Sequence, residues 1–460
     1  MLSATLTHKA STKAILLTLV SASTLDSWLK KQSDAVAAWF KTTNFTGQAE
    51  TFAMIPDKDG QLSRVVAGIG ETPSLWDLAG LPAKLPSGTY VLEGAKTARL
   101  EEKLALGWLL GGYAFSLHKK KKQNKTTLCL SDKTDIAKVT YLAETIARAR
   151  DMISTPAQEL TPEDLFQHVR KIAKEHKAKL TQTVGDDLLR NGFNAIHAVG
   201  RASPCPPRLI DLTWGKAKDP KLTLIGKGVS FDTGGLDLKP PSSMLMMQKD
   251  MGGAAVALAV AALVMKNKLP VRLRLLIPAA ENSIGGNAYR PSDVLTMKNG
   301  LTVEVGNTDA EGRLILADAL AEAEAEKPDW LIDFATLGPA RGMFGPEMGT
   351  YYTNDESIAK DLNKINIEQE DYVWRMPLHA PFKSWIETPF ADLNNISGQP
   401  YGGSITAAIF LEQFCQQAAK RIHFDFMGWN TSSKSGRPQG GEAMTLRTAY
   451  ALIEKRFATE

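Results

Sequence analysis

The chain has 460 residues, 43% of them hydrophobic and 23% charged, and its formal net charge at pH 7 is +4. This length predicts about two to four domains, and the apolar content is ample for at least two cores. The three cysteines, Cys129, Cys205 and Cys415, are too few and too widely spaced for a disulfide framework or a Cys-x-x-Cys site. These features exclude a disulfide-stabilised fold and favour a reducing compartment, the cytoplasm.

The first 130 residues predict a small α/β domain. Apolar runs at 14–20, 89–92 and 126–130 indicate strands, and residues 27–40 and 101–115 have helical patterns. The run at 14–20 faintly mimics a signal peptide, but it is short and its β-branched residues favour a first strand. No apolar run reaches the length of a membrane span.

A basic run lies near the end of this predicted domain, at residues 119–122 and Lys125. Such a run is either a solvated loop or a patch that contacts nucleic acid. No aromatic residues are interleaved with these lysines. We therefore expect a solvated loop, and nucleic-acid binding stays open as the alternative.

Residues 135–153 predict a long helix that ends before Thr155-Pro156, because the residue before a proline is biased away from the helical conformation. Beyond it, strand and helix patterns alternate, which is typical of a mostly parallel sheet flanked by helices. The predicted strands are 222–229, 271–277, 330–334 and 423–426, and the predicted helices are 162–175, 252–266, 314–325, 407–418 and 443–455. We therefore predict an N-terminal α/β domain at 1–133, a linker helix at 134–154 and a larger α/β domain at 155–460.

The strand predicted at 222–229 leads into a first group of candidate functional residues. Lys227 and Asp232 lie at its end, Lys239 follows a Gly-Gly pair, and Asp250 precedes a glycine-rich helix start. In an open α/β sheet, ligands bind beyond the carboxyl ends of the strands. These four residues occupy that kind of position.

Residues 307–313 read Asn-Thr-Asp-Ala-Glu-Gly-Arg and form a second group. Asp309 and Glu311 are two positions apart, so in an extended segment their side chains point the same way. Arg313 continues the same face. The helical pattern at 314–325 follows at once, so these acids lie where a loop leads into a helix N-terminus.

The two groups together supply four carboxylates, which repel one another unless cations neutralise them. Oxygen ligands suit divalent ions such as Mg, Mn and Zn, and two ions about 3.5–4 Å apart form a known hydrolytic clamp. Surface acids paired with lysines are the alternative for any single acid. The combined set, glycine-rich and at strand ends, favours a metal site.

With these two groups of residues, the sequence resembles the cytosol (leucyl) aminopeptidase family of dinuclear metallo-aminopeptidases. The resemblance covers roughly residues 140–455, and residues 1–130 match only loosely. The matching segments are Gly-Lys-Gly-Val-Ser-Phe-Asp-Thr-Gly-Gly (226–235), Leu-Lys-Pro (238–240), Lys-Asp-Met-Gly-Gly-Ala-Ala (249–255), Glu-Asn (281–282), Tyr-Arg-Pro-Ser-Asp (289–293), Asn-Thr-Asp-Ala-Glu-Gly-Arg (307–313), Ala-Asp-Leu-Asn-Asn (391–395), Tyr-Gly-Gly-Ser-Ile-Thr-Ala-Ala (401–408) and Gly-Gly-Glu-Ala-Met (440–444).

The resemblance implies two divalent metal ions per subunit, Mn or Zn, with Mg as a further candidate. The ligands implied for the tighter ion are Lys227, Asp232, Asp250 and Glu311, and those for the more exchangeable ion are Asp232, Asp309 and Glu311. Asp232 and Glu311 would bridge the two ions. Since a lysine ligand must be neutral, we expect two adjacent dications to lower the pKa of Lys227.

The resemblance also implies the reacting groups. Lys239 would polarise the scissile carbonyl, and Arg313 would hold a bicarbonate ion that acts as general base, since a guanidinium suits a planar carbonate. Met247 would line the pocket for the first side chain of the substrate, with Thr336 and Leu337 at its floor or rim. A water bridging the two metals would attack as hydroxide.

The expected function is therefore release of the N-terminal residue, Leu-like and apolar by preference, from peptides by a catalytic domain at 155–460. The family resemblance further implies a homo-oligomer, a hexamer. A DNA-binding or architectural role on the same scaffold is the alternative.

The chain departs from the family pattern after Leu337. The family usually continues Thr-Gly-Ala, whereas here Gly338-Pro339-Ala340 follows and the segment is one residue short. Proline lacks an N–H and fixes φ. Since backbone of this stretch contacts the substrate amine and the bicarbonate in the family, the departure affects residue preference and rate more than the metal site.

Rival chemistries lack their motifs. The seven histidines form no His-Glu-x-x-His pair, the glycines around Lys227 do not have Walker spacing, and Asp232-Thr233-Gly234 is a single copy in an α/β context, unlike the triplets of an aspartic protease. His197 and His423 lie beside apolar runs, so we expect core or supporting roles for them.

Overall fold

The computed structural model describes residues 2–119 and 123–458, so lysines 120–122 of the basic run lie outside the described residues. The chain forms two compact units. The smaller contains Met1–Ala147 and Ser432–Gln439, and the larger contains Arg148–Thr431 and Gly440–Glu460. The helix α5 that crosses the first boundary spans Ile136–Ser154.

The smaller unit is an α/β fold around one sheet. Its strands are β1 (Ala4–Thr7), β2 (Ile15–Val20), β3 (Phe52–Pro56), β4 (Leu62–Gly68), β5 (Gly88–Glu93) and β6 (Thr126–Cys129). Its helices are α1 (Ala22–Leu29), α2 (Asp34–Thr43), α3 (Leu81–Lys84) and α4 (Ala98–Gly111). The sheet has the order β1-β6-β5-β2-β4-β3, and its neighbouring strands are parallel except β3 and β4.

The single helix predicted at 27–40 is wrong. Two helices, α1 and α2, occupy this region, because Ser33 caps the second one. Its side chain accepts a hydrogen bond from the backbone N–H of Val36, and an N-cap residue has non-helical backbone angles. The apolar run at 14–20, by contrast, contains the strand β2, as predicted.

The larger unit contains most of the helices. They are α6 (Pro162–His176), α7 (Asp187–Arg190), α8 (Asn194–Gly200), α9 (Pro241–Met244), α10 (Gly252–Lys266), α11 (Glu311–Glu324), α12 (Arg341–Phe344), α13 (Glu356–Gln369), α14 (Gly403–Glu412) and α15 (Leu446–Phe457). Turns of 3₁₀-helix lie at Ala157–Glu159, Met247–Met251 and Ala380–Ile386.

Its principal sheet has nine strands in the order β16-β15-β18-β14-β9-β11-β8-β7, with β10 also paired to β11. The strands of this unit are β7 (Lys179–Val184), β8 (Arg208–Trp214), β9 (Lys221–Gly226), β10 (Gly228–Asp232), β11 (Arg272–Asn282), β12 (Val294–Thr296), β13 (Thr302–Glu304), β14 (Trp330–Ala335), β15 (Gly349–Tyr352), β16 (Val373–Arg375), β17 (Leu393–Asn394), β18 (Lys420–Asp425), β19 (Trp429–Asn430) and β20 (Gly440–Gly441). The central run β18-β14-β9-β11 is parallel. The predicted fold, two α/β domains with a mostly parallel sheet in the larger one, is confirmed.

Helix α10 lies in the core of the larger unit, and every residue from Gly252 to Met265 is buried. The sequence prediction that no run has the length of a membrane span is wrong for this region. The segment Met247–Lys266 has 20 residues and a mean hydropathy of 1.3, but 94% of its apolar stretch is buried in the protein. An apolar core helix can have the length and composition of a membrane span, because it is hydrophobic on all sides.

The strand predicted at 222–229 is interrupted at Lys227. Strand β9 ends at Gly226 and β10 begins at Gly228. The backbone N–H of Lys227 donates to the carbonyl of Phe334 at 3.0 Å, and its own carbonyl accepts from the N–H of Ala254 at 2.8 Å. The break therefore fixes Lys227 between β14 and the start of α10, at the end of the parallel strands.

Candidate metal centre

The predicted metal ligands come from four segments that end or begin at the same edge of the sheet. Lys227 lies between β9 and β10, and strand β10 ends in Asp232. Asp250 lies in the 3₁₀ turn before α10, and Glu311 is the first residue of α11. Gly312 lets the Lys227 side chain lie against the start of α11, since a Cβ atom at residue 312 would lie 2.5 Å from Nζ of Lys227. Any larger residue at 312 would displace the lysine.

Lys227 joins two of the acids. Its Nζ lies 2.7 Å from Oδ2 of Asp250 and 2.9 Å from Oε1 of Glu311, and all three side chains are buried. Burial alone would lower the pKa of Lys227, but the carboxylates of Asp250, Glu311 and Asp232 raise it well above its ordinary value. With these acids alone around it, Lys227 is a cation, and only added positive charge would make it neutral.

Lys239 joins the other two acids. Its Nζ lies 2.9 Å from Oδ2 of Asp232 and also contacts Oδ1 of Asp309. Burial opposes the charged form of this lysine, and the carboxylates of Asp232 and Asp309 outweigh that effect and raise its pKa. Oxygen atoms of Asp232, Asp309 and Glu311 all lie within 4.8 Å of one another, as one cation would require.

The lysines do not fully compensate the buried acids of the cluster. Oε2 of Glu311 is buried and has no hydrogen-bond partner among the described residues. Burial and the neighbouring carboxylates raise the pKa of Glu311 well above its ordinary value, and burial raises the pKa of Asp232 to about 6. Carboxylates that are destabilised as anions and have unused oxygens are suitable ligands for divalent ions. The residues present therefore fit two divalent metal ions.

Arg313 is buried, with 7% of its surface exposed. Its Nη1 donates to the carbonyl of Asn395 at 2.8 Å, while Nε has no hydrogen-bond partner. Burial lowers the pKa of Arg313 to about 10, and among the residues that the structure describes no carboxylate forms an ion pair with it. A buried guanidinium with an unused donor fits a small anion such as bicarbonate.

The three predicted substrate-contact residues lie on two segments. Met247 is buried at the start of the 3₁₀ turn that carries Asp250. Thr336 follows β14, and its Oγ1 donates to Oδ1 of Asp250 at 2.8 Å. The next residue, Leu337, donates its backbone N–H to Oδ1 of Asp425 at 2.8 Å. The structure thus brings Thr336 to a predicted metal ligand and ties Leu337 to a buried acid.

Asp425 was not singled out from the sequence. It is the last residue of β18, and Oδ1 also accepts the N–H of Gly338 at 3.1 Å. Burial raises the pKa of this carboxyl group. Asp425 therefore holds the turn at Gly338-Pro339, where the chain departs from the family pattern.

Lys249 is a further missed cation, with 2% of its surface exposed and its Nζ 3.9 Å from Oδ1 of Asp250. Burial lowers the pKa of this lysine. Its position within the matched segment 249–255 was the sequence signal that could have identified it.

The two histidines singled out from the sequence lie in acid pairs. His423 is buried and hydrogen-bonds Asp333, while His197 pairs with Asp186 at 3.2 Å.

An α/β unit that gathers four acids, two lysines and a buried arginine at the ends of parallel strands has the features of a metal-dependent hydrolase. The chain belongs to the cytosol aminopeptidase family. The catalytic-domain model of this family matches residues 147–450, and the model of the M17 aminopeptidase N-terminal domain matches residues 15–131. The family resemblance inferred from the motifs is confirmed, and the chain is a peptidase hydrolase, a metal-dependent aminopeptidase.

Similar proteins agree with this assignment. A probable cytosol aminopeptidase of Rhodococcus opacus is 34% identical over 437 residues, which cover 89% of this chain and 86% of the relative. The crystal structure of a cytosol aminopeptidase from Coxiella burnetii has a TM-score of 0.95 and 42% identity, covering 99% of both chains. The bottromycin maturation enzyme BotP in complex with Mn has a TM-score of 0.87 and 28% identity, covering 96% of this chain and 99% of that one. The DNA-binding or architectural alternative is not favoured.

Proposed function

We propose that this aminopeptidase removes the first residue of peptides with two divalent ions bound at its acid–lysine cluster. This cluster consists of Lys227, Asp232, Lys239, Asp250, Asp309 and Glu311. The observation that carries the proposal is that the buried acids are incompletely compensated: the pKa of Glu311 is raised well above its ordinary value, and its Oε2 has no hydrogen-bond partner among the described residues. Two bound ions would supply a water of lowered pKa as nucleophile and a ligand position for the free amine of the substrate.

Two groups of residues would hold the ions. The tighter site would consist of Lys227, Asp232, Asp250 and Glu311, and the more exchangeable site of Asp232, Asp309 and Glu311. Lys227 already contacts Asp250 and Glu311, so an ion there would replace the proton of its ammonium group. Mn and Zn suit these ligands, with Mg as a further candidate, and the Mn complex of BotP makes Mn the first ion to test.

Lys239 is the group that we assign to the transition state. It keeps its proton beside Asp232 and Asp309, and a cation in this position would stabilise negative charge that develops on the scissile carbonyl oxygen. Arg313 would hold a bicarbonate ion, which supplies the general base. Its unused Nε donor and its burial support this role.

Met247, Thr336 and Leu337 would form the pocket for the first side chain. A methionine surface is apolar and adaptable, so we propose that Leu-like residues are preferred over Asp or Glu. The turn at Gly338, which has a φ of +88°, is held by Asp425 and would set the rim of this pocket.

The family further suggests a homohexamer and a cytoplasmic location. We include the oligomeric state and the location in the proposal. The domain boundaries at 133 and 154 also stay a prediction.

The function is tested by incubating the protein with a panel of dipeptides, with and without a chelator. We expect release of free N-terminal residues, loss of that release on chelation and its return with Mn²⁺. N-acetyl-leucyl peptides serve as the matched control, because a blocked amine would no longer reach its ion. Efficient hydrolysis of the blocked peptides would rule out the proposed binding of the amine, and a preference for acidic first residues would rule out the proposed pocket.

A further inference from the structure

The side-chain amide of Asn282 hydrogen-bonds Asp232 of the cluster. No role has been assigned to this residue so far. Asn282 is the last residue of β11 and is completely buried. It is the register partner of Asp232 on β10. Its backbone carbonyl also accepts hydrogen bonds from the N–H and the hydroxyl of Thr233, at 3.0 and 2.8 Å. The residue is therefore fixed directly beside the loop that carries Asp232 and Lys239.

The side-chain nitrogen of Asn282 connects the two acid-bearing loops. Nδ2 donates to Oδ1 of Asp232 at 2.8 Å and to the carbonyl of Thr308 at 3.0 Å. Thr308 immediately precedes Asp309. One NH₂ group thus joins the first loop to the second, as does the hydroxyl of Thr308, which donates to the carbonyl of Gly234 at 2.6 Å.

The orientation of this amide is determined by its surroundings. Both atoms that Nδ2 faces are acceptors, so a rotated amide would place its oxygen against a carboxylate and a carbonyl. Oδ1 of Asn282 is buried without a partner, and a Cβ atom at Gly235 would lie 2.9 Å from it. The donor side of the amide must therefore face the cluster.

The hydrogen bond also decides which oxygen of Asp232 is available. Oδ1 accepts from Asn282 and from the N–H of Gly234, the latter at 2.9 Å. Oδ2 is the oxygen that faces Lys239, at 2.9 Å. With Oδ1 held by two donors, Asp232 presents a single oxygen to a cation.

The carbonyl of Thr308 has a second donor that does not touch Asp232. The hydroxyl of Tyr289 donates to it at 2.6 Å, and the N–H of Thr308 donates to Oδ2 of Asp237 at 2.7 Å. The loop before Asp309 is therefore held from several sides, and among the described residues Asn282 is the one whose single NH₂ group also bonds Asp232.

We propose that Asn282 is a positioning residue for the more exchangeable metal site. It orients Asp232 so that only Oδ2 faces the cluster, and it sets the spacing of Asp232 and Asp309. This inference rests on the proposed function, because it requires the cluster to bind two ions. Groups that orient metal ligands in this way typically change metal affinity about 10–100-fold when they are replaced.

The test is a calorimetric titration of metal-free protein with Mn²⁺. We expect two binding events per chain in the unaltered protein. In Asn282→Ala both events should weaken, because Asp232 is assigned to both sites, and the weaker event, which also depends on Asp309, should lose more, about 10–100-fold in affinity. Asn282→Leu should behave in the same way, since it retains side-chain volume but not the donor, and it also serves if the alanine variant does not fold.

Two controls separate this role from general destabilisation. Asn366→Ala removes another buried asparagine, whose amide bonds lie within α13, and should leave both affinities unchanged. Tyr289→Phe removes one donor to Thr308 without touching Asp232 and should have a smaller effect than Asn282→Leu. Equal weakening of both events in Asn282→Leu, an unchanged weaker event, or an equal effect of Tyr289→Phe would overturn the inference. The absence of any Mn²⁺ binding by the unaltered protein would instead refute the proposed function.

Discussion

The larger unit has two buried clusters of acidic and basic side chains. The pKa of the buried glutamate is lowered in the first cluster and raised in the second. In the first, Nε and Nη2 of Arg150 each lie 2.9 Å from a different oxygen of Glu442. Asn430 donates to the same carboxylate at 2.8 Å. Burial would raise the pKa of Glu442, but Arg150 outweighs it and the pKa is lowered. Here the buried acid is fully paired within the protein.

The acid–lysine cluster is the second, and its acids are not fully paired. Glu311 retains an unpaired oxygen, and its pKa is raised by burial and by neighbouring carboxylates. Removing a charge from water is costly unless it is matched, so a bound cation would stabilise these acids as anions. A buried acid that is fully paired within the protein indicates a structural role, whereas buried acids at strand ends with raised pKa values and an unpaired oxygen indicate a cation site.

The strongest way to break this comparison is to neutralise one acid in each cluster. Glu311→Gln should reduce peptide hydrolysis to the background of the metal-free protein, because it removes a ligand shared by both proposed ions. Metal content and dipeptide hydrolysis measure this effect. Glu442→Gln is the matched control and should keep both metals. Equal metal loss in the two variants would contradict the distinction.

The paired cluster should instead govern stability. Arg150→Met leaves Glu442 buried without its cation, and breaking a buried pair typically costs about 3–5 kcal/mol. The free energy of unfolding in urea should fall by about that amount, with Mn²⁺ affinity of the folded protein unchanged. A variant as stable as the unaltered protein would show that this pair contributes little.

The two lysines of the acid cluster should separate metal binding from catalysis. Lys239→Ala should retain both ions and lose kcat by on the order of 10²-fold or more, because a cation that stabilises the transition state is removed. Lys227→Ala should weaken metal binding instead. Metal analysis and steady-state kinetics of both variants measure the difference, and similar metal losses would refute the division of roles.

Asp318 is expected to give the smallest effect. Its carboxylate is buried on α11 and accepts the N–H groups of Ala195, Ile196 and Lys298. Burial raises its pKa to about 7, from about 3.9 in an unfolded chain. Between these values the folded chain retains a proton that the unfolded chain has lost, so this residue decreases stability as pH rises.

Asp318→Asn should remove this part of the pH dependence. Urea unfolding of both proteins at pH 4, 5.5 and 7 measures it, and the difference in free energy of unfolding between them should change across this range. A constant difference would show that Asp318 titrates normally.

The sequence predicted the elements with strong local signals. The Ala-rich run after Gly252 predicts a helix to Lys266, and the structure has the same bounds for α10. The predicted helix at 407–418 is α14, which begins at Gly403 and ends at Glu412. Strands β7 and β8 and helix α13 were not predicted, although Ile358, Leu362 and Ile365 in α13 have the apolar spacing of a helix.

The site residues could be named from motifs, but their support could not. Asn282 is 50 residues from Asp232 in the chain, and Asp425 is 88 residues from Leu337. Which residue donates to which oxygen depends on strand register, which is set by tertiary pairing. The same holds for Arg150 and Glu442, which are 292 residues apart.

The most direct test is anomalous diffraction from crystals of the protein soaked in Mn²⁺. We predict two anomalous peaks per chain about 3.5–4 Å apart, with Asp232 and Glu311 between them and Lys227 beside the stronger one. We predict no peak at Glu442. The absence of peaks among the four acids would contradict the account that their unmatched charge binds two metal ions.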